Sequence, residues 1–484
     1  MISIKKYIVS GFITFSVFLL GQVSTTSKFP QNIESVPISA VKDLGIEKSL
    51  LTPKEQLDIN INSYINDATF RNANWGFIVY DPKNKKIVSS YNESTPLVPA
   101  STTKLLTTET AMNLLSEKFV WNTQLEYSGS IDETGILNGN LYIVGSGDPS
   151  LGTGKAGSAR YSDIVLDFLA KISEKGITKV NGDIIIQTAV FKENKMVTLP
   201  ENIVWLDGNN YYLPVGSTAN IEPRNEKFLV KNNLSGNNKR FFYVSPYIHK
   251  MVYSDVFEGN VLNTKLPDAP AFLANNFRKS LIKNKIPVTG KVVPKMTDIN
   301  PEERTIIATY KSPTLGEIIY ETNQKSDNAL SEAILRMVGF QKFGDQTLES
   351  GKLAVVDHLK NISMDFDGLN YVDGSGLSRS NTITPIAQVK FLSSLMKEKY
   401  FKNYFDSLPI AGQTGTLKKM FFGNGYGQIF AKTGTLNKVK CLAGYIKTNK
   451  GTTLAFSLLV NNYNGSLNVL KSKMERLLEP TLDL

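Results

Sequence analysis

One cysteine and two histidines in 484 residues set the first limits on this chain. Cys441 has no second cysteine to pair with, so the fold rests on packing rather than on internal disulfides, and the thiol reads as a small buried hydrophobe. His249 and His358 lie in no nucleophile context and in no H-E-x-x-H string, and G-x-S-x-G is missing, which argues against a Ser-His-Asp hydrolase. Walker strings and cysteine clusters are also missing, so no cofactor and no metal is called for. Formal net charge is +10 and the pI about 9.2, which suits an acidic cell-envelope polymer or an anionic surface. The lysines are nevertheless scattered, with no dense run beside aromatics, and nucleic-acid binding has no footprint.

Long apolar runs are lacking as well, except near the start. Lys5 and Lys6 precede an apolar stretch from Tyr7 to Leu20, the charged head and apolar middle of a secretory signal, shorter than a membrane span ordinarily needs. The expectation is a signal over 1–25 and an exported protein of the periplasm or cell envelope. Attachment to the inner membrane, peripherally or by an uncleaved anchor, stays open, but no cysteine follows the run to take a lipid.

A Ser/Pro/Asn-bearing segment over 26–49 reads as mobile, and order begins with a helical pattern from Leu51 to Tyr64. Gly76–Tyr80 and Lys86–Tyr91 flank Asp81-Pro82-Lys83-Asn84 as strand, turn and strand. Near the other end, Gly427–Ala431, Val439–Lys447 and Thr452–Asn461 read as strands. Strands from both ends make one discontinuous α/β domain over 50–121 and 305–484, interrupted by an insertion. Within the insertion, a helix before Lys175–Ile184 resembles another before Lys285–Val292, two halves of an accessory domain over 122–222 and 264–304. Chance likeness of two lysine-rich joints is the other account. A small subdomain over 223–263 separates the halves.

Three short strings carry the chemistry: Ser101-Thr102-Thr103-Lys104, Ser326-Asp327-Asn328 and Lys432-Thr433-Gly434. Singly they are cheap. S-x-x-K recurs at Ser3 and Ser394 among other places and S-x-N at Ser235 and Ser466 among others, and a helix cap, a capping turn or a solvated strand end explains each alone. In order, and each in suitable secondary structure, they are the parts of a serine acyl-transfer site. A serine hydroxyl needs a base within hydrogen-bond reach, and with histidine so scarce the base is Lys104, three residues on and on the same helical face. A helix N-terminus favours negative charge, so the Ser101 N–H can serve an oxyanion hole. Ser326 can relay a proton to a leaving amine, Asn328 can bind a carbonyl and steady Lys104, and Lys432 with Thr433 can hold a free carboxylate. Gly434 is expected to let substrate approach the strand edge.

At these residues the chain resembles the penicillin-binding proteins and serine β-lactamases, and more closely the class C low-molecular-mass D-alanyl-D-alanine carboxypeptidase/endopeptidases. The likeness runs from about Trp75 to Asn461 and includes Gly147–Leu151, Asp373–Arg379 and Leu408–Gly412. It implies a transpeptidase-like α/β (α+β) fold with an inserted accessory domain. It also implies a Ser101 acyl-enzyme on peptidoglycan stem peptides and acylation of the same serine by β-lactams. By resemblance the second oxyanion N–H belongs to Thr435, and Asp207, Tyr212 and Arg379 line a pocket for the third stem residue. A D,D-transpeptidase or β-lactamase-like hydrolase on the same fold, and a non-catalytic wall-binding protein, are the alternatives; the E-x-x-L-N loop of class A β-lactamases is missing. One departure stands out: Gln413-Thr414-Gly415-Thr416-Leu417 has Thr414 where the family usually has aspartate.

Overall fold

The computed structural model describes residues 51–187, 269–295 and 302–484, with the backbone of short strands between 203 and 265. The expected signal, the segment after it, Asp207 and most of 223–263 lie outside the described residues.

In chain order the first part comprises α1 (Pro53–Ile65), the hairpin β1 (Asn74–Asp81) and β2 (Lys86–Tyr91), and α2 (Lys104–Leu115). The insertion follows with β3 (Asn122–Tyr127), β4 (Leu141–Gly145), α3 (Tyr161–Glu174), β5 (Ile184–Gln187), α4 (Ala269–Lys283) and β6 (Val292–Lys295), and β7 (Thr305–Lys311), expected to open the second part of the discontinuous domain, pairs instead with β3 in the insertion's sheet. Helices α5 (Leu315–Lys325), α6 (Asn328–Phe343), α7 (Leu348–Asn361), α8 (Pro385–Leu395) and α9 (Phe401–Asp406) come next. The last elements are β8 (Ile429–Leu436), β9 (Val439–Lys447), β10 (Thr453–Asn461) and α10 (Leu467–Leu478). None of the described helices is long and apolar enough to cross a membrane.

The first sheet is antiparallel and joins the two ends of the described chain in the order β8-β9-β10-β1-β2, with Phe77 opposite Leu458. Both faces are covered, which is why its central strands read as almost unbroken apolar runs. Along β1, Ile78 joins the core under α2 and α8, whereas Phe77 and Val79 join the core under α1 and α10, the period of two expected of a strand. The β1–β2 turn forms where the sequence placed it: Asp81 Oδ1 accepts from the N–H groups of Lys83 (2.9 Å) and Asn84 (3.1 Å). β8 departs from expectation. It starts at Ile429 and runs on through Leu436, because the glycine-punctuated stretch over 423–427 turns, leaving the lysine string inside the strand.

The second sheet, β6-β5-β4-β3-β7, carries α3 and α4 around a separate core that includes Phe168 and Phe277. The two similar joints seen in the sequence form matching units, helix then strand. Ile184 pairs in parallel with Val292, and Val180 bridges Val288 in parallel. The likeness is therefore structural, each unit lending one strand to the same sheet.

Candidate active site

Ser101 lies in a 3₁₀ turn, Ala100–Thr103, that runs directly into α2. The turn is locked. The hydroxyls of Thr102 and Thr103 donate back to the carbonyls of Pro99 and Ala100 (both 2.9 Å), and Ala100 holds a left-handed φ of 48°. A glycine presses on it from each side: a Cβ on Gly376 would lie 1.9 Å from the Ala100 carbonyl oxygen, and one on Gly434 would lie 2.5 Å from that of Pro99. Gly434 thus has a different reason from the one its sequence suggested. Its missing side chain makes room for the nucleophile turn, not for substrate at the strand edge.

Lys104 is fully buried, and its Nζ has three neighbours: Ser101 Oγ at 3.2 Å, Asn328 Oδ1 at 2.7 Å and the Ser375 carbonyl at 2.6 Å. A neutral amine has two hydrogens and one lone pair. The two carbonyl-type oxygens accept the hydrogens, and the lone pair faces the serine hydroxyl, the arrangement a general base needs. Burial pushes the Lys104 pKa down to about 8, partly offset by the carboxylates of Glu332, Asp373 and Asp327.

The second string bridges two helices. Ser326 ends α5 in a left-handed conformation (φ 57°, ψ 40°), uncommon for a side chain other than glycine, and Asp327 caps α6 by accepting from the Leu330 N–H at 2.9 Å. Strain at Ser326 aims its hydroxyl at the third string, where it accepts from Lys432 Nζ at 2.8 Å. Lys155, in a turn of the insertion, forms an ion pair with Asp327 and so ties the inserted part to this loop. Lys432 is completely buried. Desolvation first, then repulsion from Lys104 and Lys440, pushes its pKa well below the ordinary lysine value.

β8 is an edge strand, and its pairing decides which groups face the cleft. The Ala431 N–H donates outward to the Pro409 carbonyl (3.0 Å), and the Ile429 carbonyl accepts from the Ala411 N–H (2.9 Å). By the two-residue period, the backbone groups of Thr433 and Thr435 point the same outward way, beyond the stretch that Pro409–Ala411 covers. The Thr435 N–H therefore lies on the open edge. Thr433 donates its hydroxyl to Thr416 Oγ1 (2.8 Å), and Thr414 accepts from the Ile410 N–H (3.0 Å). That last bond accounts for the departure at Thr414, since a hydroxyl oxygen closes this turn as a carboxylate oxygen can.

The structure thus brings Ser101, Lys104, Ser326, Asn328, Lys432, Thr433, Gly434 and Thr435 around one cleft. Arg379 is exposed and donates from Nη1 to the Asn437 carbonyl (2.9 Å), just past β8. Tyr212 pairs with Trp205 in a hairpin whose side chains, like Asp207, are outside the described residues.

Two carboxylates add to these: Asp373, within the Asp373–Arg379 string that the resemblance includes, and Glu332, which carries no motif signal. Glu332 accepts from the N–H groups of Ser375 (2.8 Å) and Gly374 (3.3 Å), and Asp373 from those of Gly376 (2.6 Å) and Ser378 (2.7 Å), together fixing the carbonyl that Lys104 uses. Glu332 sits four residues after Asn328 on α6, so the helical period alone could have nominated it.

Residues 57–259 and 256–479 match the family model described as D-Ala-D-Ala carboxypeptidase 3 (S13). The D-alanyl-D-alanine carboxypeptidase DacB of Haemophilus influenzae is 26% identical over 470 residues, covering 88% of this chain and 94% of that one. A D-alanyl-D-alanine carboxypeptidase of an Actinomadura species is 25% identical over 479 residues, covering 89% and 86%. Among solved structures, penicillin binding protein 4 of H. influenzae is similar with a TM-score of 0.68 at 24% identity, spanning 88% of this chain and all of that one.

Proposed function

The chain belongs to the D-Ala-D-Ala carboxypeptidase 3 (S13) family, serine carboxypeptidases acting on peptidoglycan, and we propose that Ser101 is its nucleophile and Lys104 the base. The observation that carries this reading is the threefold coordination of the buried Lys104 amine.

Ser101 Oγ attacks the carbonyl carbon of the penultimate D-alanine while its proton passes to the Lys104 lone pair. The resulting oxyanion sits between the N–H groups of Ser101, at the start of its helical turn, and of Thr435, on the open edge of β8. Collapse breaks the C–N bond. The leaving nitrogen takes a proton from the Ser326 hydroxyl, which Lys432 holds in place; Lys104 replaces it with the proton taken from Ser101 and is neutral again, and terminal D-alanine departs with its carboxylate against Lys432 and Thr433. Water, deprotonated by Lys104, then cleaves the Ser101 ester and returns the proton to serine. Asn328 spends Oδ1 on Lys104, and its Nδ2 has no partner among the described residues, leaving an amide donor for the substrate backbone.

A β-lactam presents its strained amide to the same atoms and acylates Ser101; a β-lactam complex is known for the similar H. influenzae protein. Asp207, Tyr212 and Arg379 form the pocket for the third stem residue in this reading, and the basic net charge suits an envelope polymer reached by export through the N-terminal signal.

The test is release of D-alanine from a pentapeptide ending in D-Ala-D-Ala, followed across the neutral-to-alkaline range. Acylation needs neutral Lys104, so kcat/KM rises about tenfold per pH unit on the acid side and levels above a pKa of about 8. A folded protein that releases no D-alanine overturns the carboxypeptidase reading, and a flat profile overturns the role of Lys104.

A further inference from the structure

Lys440 on β9 is a buried cation that the reaction above leaves unused. It is only 4% exposed, yet among the described residues no carboxylate forms an ion pair with it. Its Nζ donates to Thr435 Oγ1 at 2.9 Å, straight across the ladder in which Thr435 faces Lys440. Burial, then repulsion from Lys471 on α10, holds its pKa down at about 8. A buried charge without a counter-charge is expensive, and such groups gather where a ligand supplies the opposite sign.

The place where that ligand would sit follows from Thr435. Thr435 is exposed on the open stretch of β8 and shares a strand face with Thr433. With its oxygen accepting from Lys440, the Thr435 hydroxyl has its own hydrogen left to donate outward, and polarisation by the ammonium behind it makes that hydrogen a better donor to an anion. We propose that Lys440, acting through the Thr435 hydroxyl, selects substrates whose leaving residue carries a free carboxylate over those in which that group is amidated. Lys440 is a positioning residue, and the carboxylate is the counter-charge the resting chain lacks. This deepens the carboxypeptidase reading and rests on it.

The test compares two peptides that differ only at the end, one with terminal D-alanine as the free acid and one with D-alaninamide. Lys440→Met should lower the acid-over-amide ratio of kcat/KM by roughly ten- to a hundredfold, as expected for a lost hydrogen bond from a charged group, while Lys440→Arg retains most of it. Thr435→Val should lower the ratio similarly, and adding it to Lys440→Met should lower it little further. Equal losses on both peptides in Lys440→Met would mark a merely structural residue. An unchanged ratio in Thr435→Val would overturn the route through its hydroxyl, even where Lys440→Met fails to fold. Wild-type protein that releases neither product overturns the carboxypeptidase reading itself, whereas active wild type with a ratio indifferent to both changes overturns only this proposal.

Discussion

Ser101→Ala should reduce D-alanine release by about 10⁴-fold or more and abolish covalent labelling by a fluorescent penicillin, with the melting temperature almost unchanged. The size of the effect follows from chemistry rather than packing. Ser101 is half-buried, its hydroxyl touches Lys104 Nζ at 3.2 Å, and the hydrogen bonds that lock its turn come from Thr102 and Thr103. Removing the oxygen leaves the turn, the Lys104 pocket and the β8 edge intact, so substrate still binds but nothing attacks it. Residual labelling at the wild-type level, read by intact mass, would show that another group is the nucleophile.

Gly376→Ala should be the most damaging change of a residue that does no chemistry. Gly376 has a φ of 78°, and a Cβ there would stand 1.9 Å from the Ala100 carbonyl oxygen, which is backbone and cannot swing aside. The left-handed conformation and the collision together should cost about 3 kcal/mol or more. To relieve the collision, either the Asp373–Ser378 turn or the Ala100–Ser101 turn must move, and each holds one of the groups around Lys104. Stability and kcat should therefore fall together, the first read by chemical denaturation and the second by D-alanine release. A fully active, equally stable Gly376→Ala protein would mean that the two turns are not in rigid contact.

The reactive strings were legible because their geometry is local or their combination rare. Ser101 and Lys104 are three residues apart on one helical face, a relation that needs no tertiary knowledge, and Lys432-Thr433-Gly434 occurs once. The β1–β2 hairpin and the repeated helix-to-strand unit were readable for the same reason, since turn residues and helix ends are written within a few positions. What escaped notice depends on distant register. Glu332 holds the backbone whose Ser375 carbonyl meets Lys104 because α6 packs against the Asp373 turn, and Lys440 meets Thr435 only because β8 and β9 pair in one register and not the neighbouring one. Gly434 shows the opposite failure, in which the right residue carried the wrong reason: alternation along β8 turns its bare side towards Pro99 and away from the open edge.

The joining of Phe77 to Leu458 also sets when the protein becomes competent. A ribosome delivers the nucleophile early, but the strand that must lie between β1 and β9 arrives hundreds of residues later, and until then β1 has only β2 beside it. Such distant pairing is slow to form. A chain interrupted during synthesis, or clipped before 453–461, therefore holds its serine and lysine on a helix with no sheet to receive them, and a hydrolase of the wall cannot start work half-made.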